Sequence, residues 1–295
     1  MTNRGSSEPL FFGGETSMES DLCPTAGKTP LRPGLTGVVL TFNGERLLDR
    51  CLESLAFCDE ILAVDSGSSD STLDIAARRG AKVVHNPWQG FDVQFRHAQT
   101  LVETRWFFIL DQDEICPPAL GELILAAIHQ ADQYADTPQN AAVAFSVGRK
   151  SWYFDRFMKH GGWYPDHILR VFRAGFVEFY QDAHIHYRAL GRSEHLGGPG
   201  AELIHYPYTG FAHQLTKLNS YADQGAREMR SRGKRGGVAR GIGHGLARFF
   251  RIYIQKRGFL DGRAGFLAAC HGSFYAFLKY VRVLEATWGA PFDRN

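Results

Sequence analysis

The stretch LTGVVLTFNGERLLDRCLESLAFCDEILAVDSGSSDST, residues 35–72, alternates apolar runs with a helical pattern. LTGVVLT (35–41) and DEILAVD (59–65) are short and apolar on both faces, as buried strands are. Between them, ERLLDRCLESLAF (45–57) places its leucines on one helical face. Strands of this kind that alternate with helices predict a parallel, doubly wound sheet.

The same alternation continues as far as residue 147. Because the parallel strands of such a sheet end at one edge, ligands bind beyond their carboxyl ends. We therefore predict an α/β fold whose site is built from the residues that follow each strand. The further predicted elements are a helix over 69–80 with Asp70 as its N-cap, strands over 81–85, 105–111 and 141–147, and helices over 91–103 and 117–132.

Polar and acidic side chains follow three of the predicted strands. These strands end in Thr41-Phe42-Asn43, Asp65-Ser66-Gly67 and Asp111-Gln112-Asp113-Glu114. Two carboxylates two residues apart, Asp111 and Asp113, can reach one divalent cation, and Mg²⁺ and Mn²⁺ favour such oxygen ligands. The alternative is an ordinary solvated turn, because Asp is common in turns.

The loop after the second strand carries two further carboxylates. Asp65 can accept hydrogen bonds from a base or a ribose, whereas an N-cap is the favoured interpretation of Asp70. Neither GxGxxG nor GxxxxGK[ST] occurs in this loop. The sequence therefore predicts neither a dinucleotide fingerprint nor a P-loop.

Composition excludes several classes of protein. The chain has 295 residues, of which 22% are charged and 44% apolar, and a net charge of +2, which argues against wholesale disorder and against chain-wide attraction to nucleic acid. Its five cysteines are widely spaced and contain no CxxC, so a reducing cytosolic compartment fits best. No apolar window approaches the roughly 20 residues that span a bilayer. Residues 1–34 are expected to form a mobile tail without a secretion signal.

The C-terminal third has a helical and basic pattern. Residues 211–233 predict a long polar helix, and residues 243–286 predict two amphipathic helices. Between Arg227 and Arg263 there are eleven Lys and Arg residues and two acidic ones, interleaved with aromatic and aliphatic side chains. This pattern favours contact with an anionic membrane surface; the alternative is a solvated basic face on a helix that packs against the rest of the chain. No nucleic-acid recognition motif is visible.

Several motifs in this order resemble glycosyltransferase family 2, in particular a bacterial branch that includes lipopolysaccharide-core β-glucosyltransferases. They are VVLTFNGERLLDRCLES, ILAVDSGSSDSTLDIAARRGAKV, GFDVQFRHAQ, WFFILDQDE, HGGWYPDHILRVFR, LIHYPY and GFLDGRAGFLAACHGSFYAFLKY. The resemblance covers roughly residues 35 to 286. It implies a GT-A fold, a Rossmann-like and mostly parallel sheet with helices on both faces, over residues 35–210, with an amphipathic helical extension over 211–295.

The resemblance also implies roles for single residues on the nucleotide side of the site. By motif position, Thr41, Asn43 and Glu45 would line the nucleotide site, and Asp65 would meet the base or the ribose. Arg96 occupies a position where this family often has a basic residue near the diphosphate. These five positions are therefore expected to bind the nucleotide sugar.

The resemblance places the metal at the third acidic strand end. Asp111 and Asp113 match the family's DxD motif, with Asp113 as the direct ligand of Mn²⁺ or Mg²⁺ and Asp111 also touching the nucleotide sugar. Glu114 matches the acidic residue that often follows.

Asp166 is the candidate base. An inverting transfer needs one group to take the proton of the acceptor hydroxyl, and a carboxylate among aromatic residues is suited to this. Alternatively, Asp166 caps a turn or pairs with Arg170 or Arg173. Arg170 is expected to clamp a phosphate of the donor, with an ion pair to Asp166 as the alternative. Trp163 and Tyr164 either stack on a sugar or belong to the core.

One position departs from the family pattern. This branch often carries a His-Glu pair about seven residues before a Gly, but here His184 is followed by Ile185, with Gly191 at the matching distance. No catalytic Glu is carried over for that reason. The spacing of the histidines indicates structural, hydrogen-bonded side chains rather than zinc ligands. They are His184, His186, His195 and His205.

The expected function is a metal-dependent, inverting transfer of a hexose from a nucleotide sugar, with UDP as the expected nucleotide. The acceptor is expected to be a lipopolysaccharide-core or other cell-envelope glycan or glycolipid, at the cytoplasmic face of a bacterial membrane. Two alternatives stay open. One is a nucleotidyltransferase, and the other is a non-catalytic membrane-bound scaffold that binds nucleotide sugar.

Overall fold

A computed structural model describes residues 31–134, 141–181, 185–287 and 289. Within these ranges the strands are β1 (Arg32–Thr41), β2 (Glu60–Asp65), β3 (Lys82–His85), β4 (Thr104–Asp111), β5 (Glu114–Ile115), β6 (Ala144–Tyr153), β7 (Arg156–Phe157), β8 (Asp166–Arg173), β9 (Val177–Gln181), β10 (Ile185–Ala189), β11 (Ser193–Leu196) and β12 (Glu202–His205). The helices are α1 (Leu48–Glu53), α2 (Thr72–Arg78), α3 (Phe91–Leu101), α4 (Pro118–Gln133), α5 (Phe211–Ser231), α6 (Val238–Phe250) and α7 (Gly262–Arg282). A π-helical turn (Arg251–Gln255) and a 3-10 turn (Gly258–Asp261) join α6 to α7.

The main sheet is mostly parallel, as predicted. Its strand order is β3-β2-β1-β4-β8-β6-β12-β5, and β11 and β7 also pair with β6. β3, β2, β1 and β4 run parallel, whereas β8 lies antiparallel between β4 and β6. Helices cover both faces, because the apolar side chains of β1 and β4 alternate between two separate cores. The predicted α/β fold of GT-A type is confirmed.

Several element boundaries differ from the sequence predictions. β1 begins at Arg32 rather than at residue 35, and α1 covers only Leu48–Glu53 of the predicted helix over 45–57. The predicted strand over 141–147 is β6, which begins at residue 144 and extends to residue 153. The N-cap of α2 is Ser71 rather than Asp70, although Asp70 Oδ1 accepts the backbone N–H of Thr72 at 3.0 Å and so still caps the first turn.

Three C-terminal helices pack on one another beside the sheet. α7 contacts both α5 and α6, and α6 approaches it closely because Gly241 and Gly245 face it: a Cβ on Gly241 would lie 3.0 Å from the Phe277 carbonyl oxygen. Among the described residues, no helix combines the length and the apolar character needed to cross a membrane. Residues 1–30 of the predicted tail lie outside the described residues.

Candidate active site

A cavity of about 1140 Å³ opens at the carboxyl ends of β1, β2 and β4. The strand ends form one side, and α5, α6 and the π-helical turn form the other. The predicted site residues that line it are Thr41, Asp111, Asp113 and Asp166, together with the candidate stacking residue Trp163. Strand register explains why the first two come together, since Leu40 pairs with Asp111 and Thr41 pairs with Asp65.

The loops that leave β1 and β2 are tied together by hydrogen bonds. Four successive backbone N–H groups of the first loop each donate to a side chain from the segments that follow β2 and β4. The loops are therefore held as one rigid rim, because each bond fixes one backbone position to its neighbour. The donors and acceptors are Phe42 to Gln112 Oε1 (3.0 Å), Asn43 to Ser68 Oγ (2.9 Å), Gly44 to Thr72 Oγ1 (2.7 Å) and Glu45 to Asp70 Oδ2 (3.1 Å).

Asn43 and Glu45 strengthen this rim with their side chains. Asn43 Oδ1 accepts the N–H of Ser69 at 2.9 Å, and Glu45 Oε2 accepts the N–H of Ser71 at 3.2 Å. Asn43 also has a φ of 45°, a left-handed conformation that Asn tolerates better than most residues. Neither residue lines the cavity, so the structure gives them a loop-bracing position next to the site.

Asp65 is buried beneath the same rim. Its carboxylate accepts hydrogen bonds from Thr41 Oγ1 (3.0 Å), from Ser68 Oγ, and from the N–H groups of Gly67 (2.8 Å) and Ser68 (2.9 Å). Burial opposes ionisation, but these hydrogen bonds outweigh it and hold the pKa of Asp65 below its ordinary value. The carboxylate thus orders the loop; its predicted contact with a base or ribose stays a prediction.

Arg170 joins two carboxylates at the end of β4. Its Nη2 donates to Asp111 Oδ2 at 2.6 Å and to both oxygens of Glu114 at 2.9 Å. Burial opposes ionisation of Asp111, but the charge of Arg170 outweighs it and holds the pKa of Asp111 below its usual range. Glu114 is fully buried, and this burial raises its pKa. Arg170 is 3% exposed and is not among the residues that line the cavity, so its expected contact with a phosphate of the donor stays a prediction.

Asp113 has no arginine partner in the described part of the chain. Burial, and then the charges of Asp111 and Glu114, raise its pKa to about 7. Its Oδ1 lies 3.7 Å from Nε2 of His205. Burial, followed by the charge of Arg149, lowers the pKa of His205 to about 3, so this imidazole is neutral. Its other ring nitrogen, Nδ1, lies 2.9 Å from Ser151 Oγ.

Asp166 pairs with Arg149. Arg149 Nε and Nη2 lie 2.9 and 2.8 Å from Asp166 Oδ2, and its Nη1 donates to Glu114 Oε1 at 3.0 Å. The two residues are register partners on the antiparallel strands β6 and β8. The predicted ion pair of Asp166 with Arg170 is wrong, because four residues along a strand separate them by about 13 Å; Arg170 pairs with Asp111 and Glu114 instead.

Aromatic residues line the cavity beyond β2 and β3. Trp88 and Phe91 meet edge to face with ring centroids 4.7 Å apart, and both are about half exposed. The buried Gln94 donates to the carbonyls of Asn86 and Pro87 and thereby fixes the loop that carries Trp88. Trp88 was not predicted from sequence, since a single Trp in a loop carries no signal of its own.

Arg96 is not brought to the cavity. It lies on α3 one residue after Phe95, which does line the cavity, and a helix rotates about 100° per residue. Its guanidinium pairs with Asp92 four residues earlier and is 55% exposed. The expected contact of Arg96 with a diphosphate therefore has no support in this conformation.

The loop between β7 and β8, which precedes Asp166, contacts the C-terminal extension. The buried Asp261 accepts the N–H groups of Lys159 (3.1 Å) and His160 (2.7 Å), and its Oδ1 lies 3.0 Å from Nδ1 of His160. Trp163 follows in this loop, packs against Tyr153 with ring centroids 5.2 Å apart and the planes tilted by 34°, and also lines the cavity. The role of Asp261 was missed because the sequence gives no sign that these two distant segments meet.

The histidines show no zinc geometry. Within the ranges that the structure describes, no group of three or more His, Cys, Asp or Glu residues is arranged to hold a metal ion by itself. Nδ1 of His195 lies 3.1 Å from Ser146 Oγ, as expected for a hydrogen-bonded structural histidine. His184, in the departure from the family pattern, lies outside the described residues.

The fold and the polar strand ends over one cavity define a transferase of GT-A type. Residues 37–185, half of the chain, match the family model described as glycosyl transferase family 2, and the chain belongs to this family. It is therefore a glycosyltransferase, as the sequence motifs predicted.

Relatives extend this match beyond the family domain. The lipopolysaccharide core biosynthesis glycosyltransferase LpsC of Rhizobium meliloti (strain 1021) is 26% identical over 261 residues, which cover 85% of this chain and 92% of that protein. The uncharacterized glycosyltransferase RC0292 of Rickettsia conorii is 25% identical over 263 residues, with 86% and 90% covered. Among solved structures, S. aureus TarS 1-349 in complex with UDP-GlcNAc is 13% identical with a TM-score of 0.44, covering 86% of this chain and 91% of that one.

Proposed function

We propose that this protein transfers a hexose, with inversion, from a UDP-sugar to a cell-envelope glycan or glycolipid such as the lipopolysaccharide core. The observation that carries the proposal is the meeting of Asp111, Asp113 and Asp166 on one cavity. A glycosyl transfer needs a site for the leaving diphosphate and a base for the acceptor, and these carboxylates offer one group for each task.

The donor is proposed to bind over the ends of β1, β2 and β4. Thr41 and Ser66 line the cavity there, and Trp88 and Phe91 offer exposed ring faces on which a base can stack. The rigid rim of the two loops keeps this half of the site preorganised. Asp65 and Asn43 contribute by holding that rim.

A divalent ion, Mn²⁺ or Mg²⁺, fits the end of β4. Asp113 is a partly buried carboxylate whose pKa is raised by burial and by neighbouring negative charge, and a cation beside it would relieve that repulsion. Such ions bind through one or two carboxylates plus substrate phosphates, so a larger cluster of protein ligands is not required. Asp113 and Asp111 would hold the ion, which when bound neutralises the charge of the departing nucleoside diphosphate.

Asp166 is proposed to act as the base. Arg149 contacts Oδ2 through two nitrogens and so restrains the side chain of Asp166, which lines the cavity. Asp166 takes the proton of the acceptor hydroxyl while that oxygen bonds to the anomeric carbon. The bond from this carbon to the diphosphate breaks on the opposite side, and the configuration is inverted.

Two observations support the proposed acceptor and the proposed place of action. The match to LpsC, whose name describes lipopolysaccharide core biosynthesis, covers most of both proteins. In addition, α6 and the π-helical turn expose an apolar stripe at every fourth residue, flanked by exposed basic residues. A stripe of this kind is suited to the surface of an anionic membrane, here the cytoplasmic face of the bacterial inner membrane. The stripe consists of Val238, Ile242, Leu246, Phe250 and Ile254.

The test is a thermal-shift panel of UDP-, GDP-, ADP- and CMP-linked sugars, with and without Mn²⁺. A ligand that binds only the folded protein raises its melting temperature, so we expect a metal-dependent rise with a UDP-sugar. The Asp113→Ala protein should stay folded and lose this rise. No rise with any donor would contradict the proposal, and binding without turnover on envelope extracts would favour the scaffold.

A nucleotidyltransferase would give a different outcome in a direct assay. Incubation with a nucleoside triphosphate and a sugar phosphate would release pyrophosphate, whereas the proposed transfer releases a nucleoside diphosphate from the sugar nucleotide. We expect no pyrophosphate release.

A further inference from the structure

Three cations on the extension line the cavity. Arg248 at the end of α6, Arg251 in the π-helical turn and Lys256 just after it are exposed and form part of the cavity wall. Among the ion pairs between described residues, none involves these three side chains. Three uncompensated positive charges on one wall attract an anion.

This wall is next to the loop that leads to the candidate base. The backbone N–H of Gly161 donates to the carbonyl of Lys256 at 2.9 Å. The ammonium of Lys256 lies against Gly162, where an added Cβ would be 2.4 Å from Nζ. Gly162 is four residues before Asp166, and both line the cavity. The cations are therefore on the side where an acceptor must lie to reach Asp166, whereas the proposed donor site is over the strand ends.

The end of α6 and the π-helical turn carry both exposed apolar side chains and side chains that line the cavity. Leu246, Phe250 and Ile254 are each more than half exposed and belong to the apolar stripe, whereas Arg248 and Arg251 line the cavity. Arg248 lies two positions from both Leu246 and Phe250, and residues two positions apart on a helix point about 200° away from each other. An amphiphilic molecule held in a membrane by its lipid would reach the cavity along this segment, with its head group next to the cations.

We propose that Arg248, Arg251 and Lys256 form a subsite for a phosphate or carboxylate group of the acceptor. Guanidinium binds such groups through paired hydrogen bonds, and an ammonium adds a point charge. This inference rests on the proposed function for its role, since it assigns the acceptor of that reaction to the class of anionic glycolipids. Binding of an anion to the wall can be tested without any turnover.

The experiment measures binding of glucose 6-phosphate, and of glucose as the neutral probe, by calorimetry. It uses the full chain, alone and with saturating UDP and Mn²⁺ to fill the donor side. The test variant carries Arg248→Gln, Arg251→Gln and Lys256→Gln. The control carries Lys234→Gln, Arg235→Gln and Arg257→Gln, three exposed cations that do not line the cavity, so both variants lose the same charge.

We expect the wild type and the control to bind glucose 6-phosphate more tightly than glucose, with and without UDP. The test variant should lose about tenfold or more of that affinity and keep its affinity for UDP within about twofold. Circular dichroism and the melting temperature show that both variants are folded.

Three results would overturn the inference. Equal losses in test and control would mean that only overall charge matters. A large loss of UDP affinity in the test variant would assign the cations to the donor instead. Absence of a preference for the phosphate in the wild type would leave no anion site. If UDP itself does not bind, the proposed function fails, and the titration without UDP still decides on the anion site.

Discussion

Neighbouring carboxylates at the end of β4 have pKa values displaced in opposite directions. Arg170 reaches Asp111 and Glu114, whereas Asp113, two residues from Asp111, is left beside their negative charges. The folded protein therefore holds a carboxylate whose ionised form is disfavoured, and the proposed cation would relieve this. A site of this kind lowers the stability of the folded protein while favouring the binding of a ligand.

The Asp113→Asn substitution tests that cost. The pKa of Asp113 is raised from 3.8 to about 7, so its contribution is most favourable at low pH and stability is lost as the pH rises through 7. Above pH 7 the ionised group costs up to about 4 kcal/mol, which Asn removes. At pH 8 with a metal chelator we expect Asp113→Asn to unfold at higher denaturant than the wild type, with the gain shrinking towards pH 4. Equal midpoints at pH 8 would contradict this, and Asp74→Asn on exposed α2 is the control.

The Asp166→Asn substitution separates the base from the donor site. Asn keeps the size of the side chain and can still meet Arg149, but it cannot accept the acceptor proton. We expect kcat to fall by about 10² to 10⁴ while the affinity for UDP-sugar and metal stays within about twofold. Asp113→Asn should instead lose the metal-dependent affinity. Isothermal titration and initial rates with the same acceptor check both, and a wild-type rate for Asp166→Asn would remove Asp166 as the base.

At the scale of elements, the sequence predicts those strands and helices whose pattern is contained in their own residues. β1, β2 and β4 follow directly from their apolar runs, and their polar ends mark the edge where the cavity lies. β8 was not predicted, because Arg170 in the middle of this strand looks like a surface residue until the buried carboxylates that pair with it are known. Antiparallel pairing of β8 with β6 also sets the Asp166–Arg149 contact, which no local pattern encodes.

Side-chain direction on short elements was equally hard to predict. Asn43 and Glu45 follow a strand end, yet their side chains turn to the neighbouring loop rather than the cavity. Arg96 lies on α3, which contributes to the cavity, but its side chain pairs with Asp92 and does not line the cavity. Motif position thus predicts which loops build the site, while the turn geometry and helical phase of each residue settle whether its side chain reaches it.

Two glycines in the extension allow a matched test of how its elements pack. Gly265 of α7 lies against the preceding 3-10 turn, where an added Cβ would be 1.7 Å from the Gly258 carbonyl oxygen. Gly243 of α6 is exposed and has no atom within 4 Å of that position. We expect Gly265→Ala to destabilise by about 1–3 kcal/mol or more, and Gly243→Ala to stabilise by about 0.5–1 kcal/mol. Chemical denaturation measures both, and a neutral Gly265→Ala would mean that the turn moves freely.

At the scale of the whole molecule, the extension forms one wall of the candidate active site. Asp261 holds the backbone of Lys159 and His160, and Lys256 binds Gly161, so the loop that precedes Asp166 is fixed by the same segment that carries the apolar stripe. These contacts connect the apolar stripe, the proposed membrane-docking surface, to the cavity wall beside Asp166. The proposed membrane docking is therefore linked to the candidate base through these hydrogen bonds.

The membrane contact is tested by vesicle sedimentation with the full chain. We expect binding to vesicles that contain anionic lipid, weakening as salt rises, because the basic flank contributes about 1 kcal/mol per residue and this attraction is screened. Leu246→Ser with Phe250→Ser removes two exposed members of the stripe and should lower the partition coefficient by about tenfold or more. Leu73→Ser with Leu125→Ser, exposed on α2 and α4, should leave it unchanged. Equal binding by both pairs would show that charge alone attracts the protein, and the stripe would then need another partner.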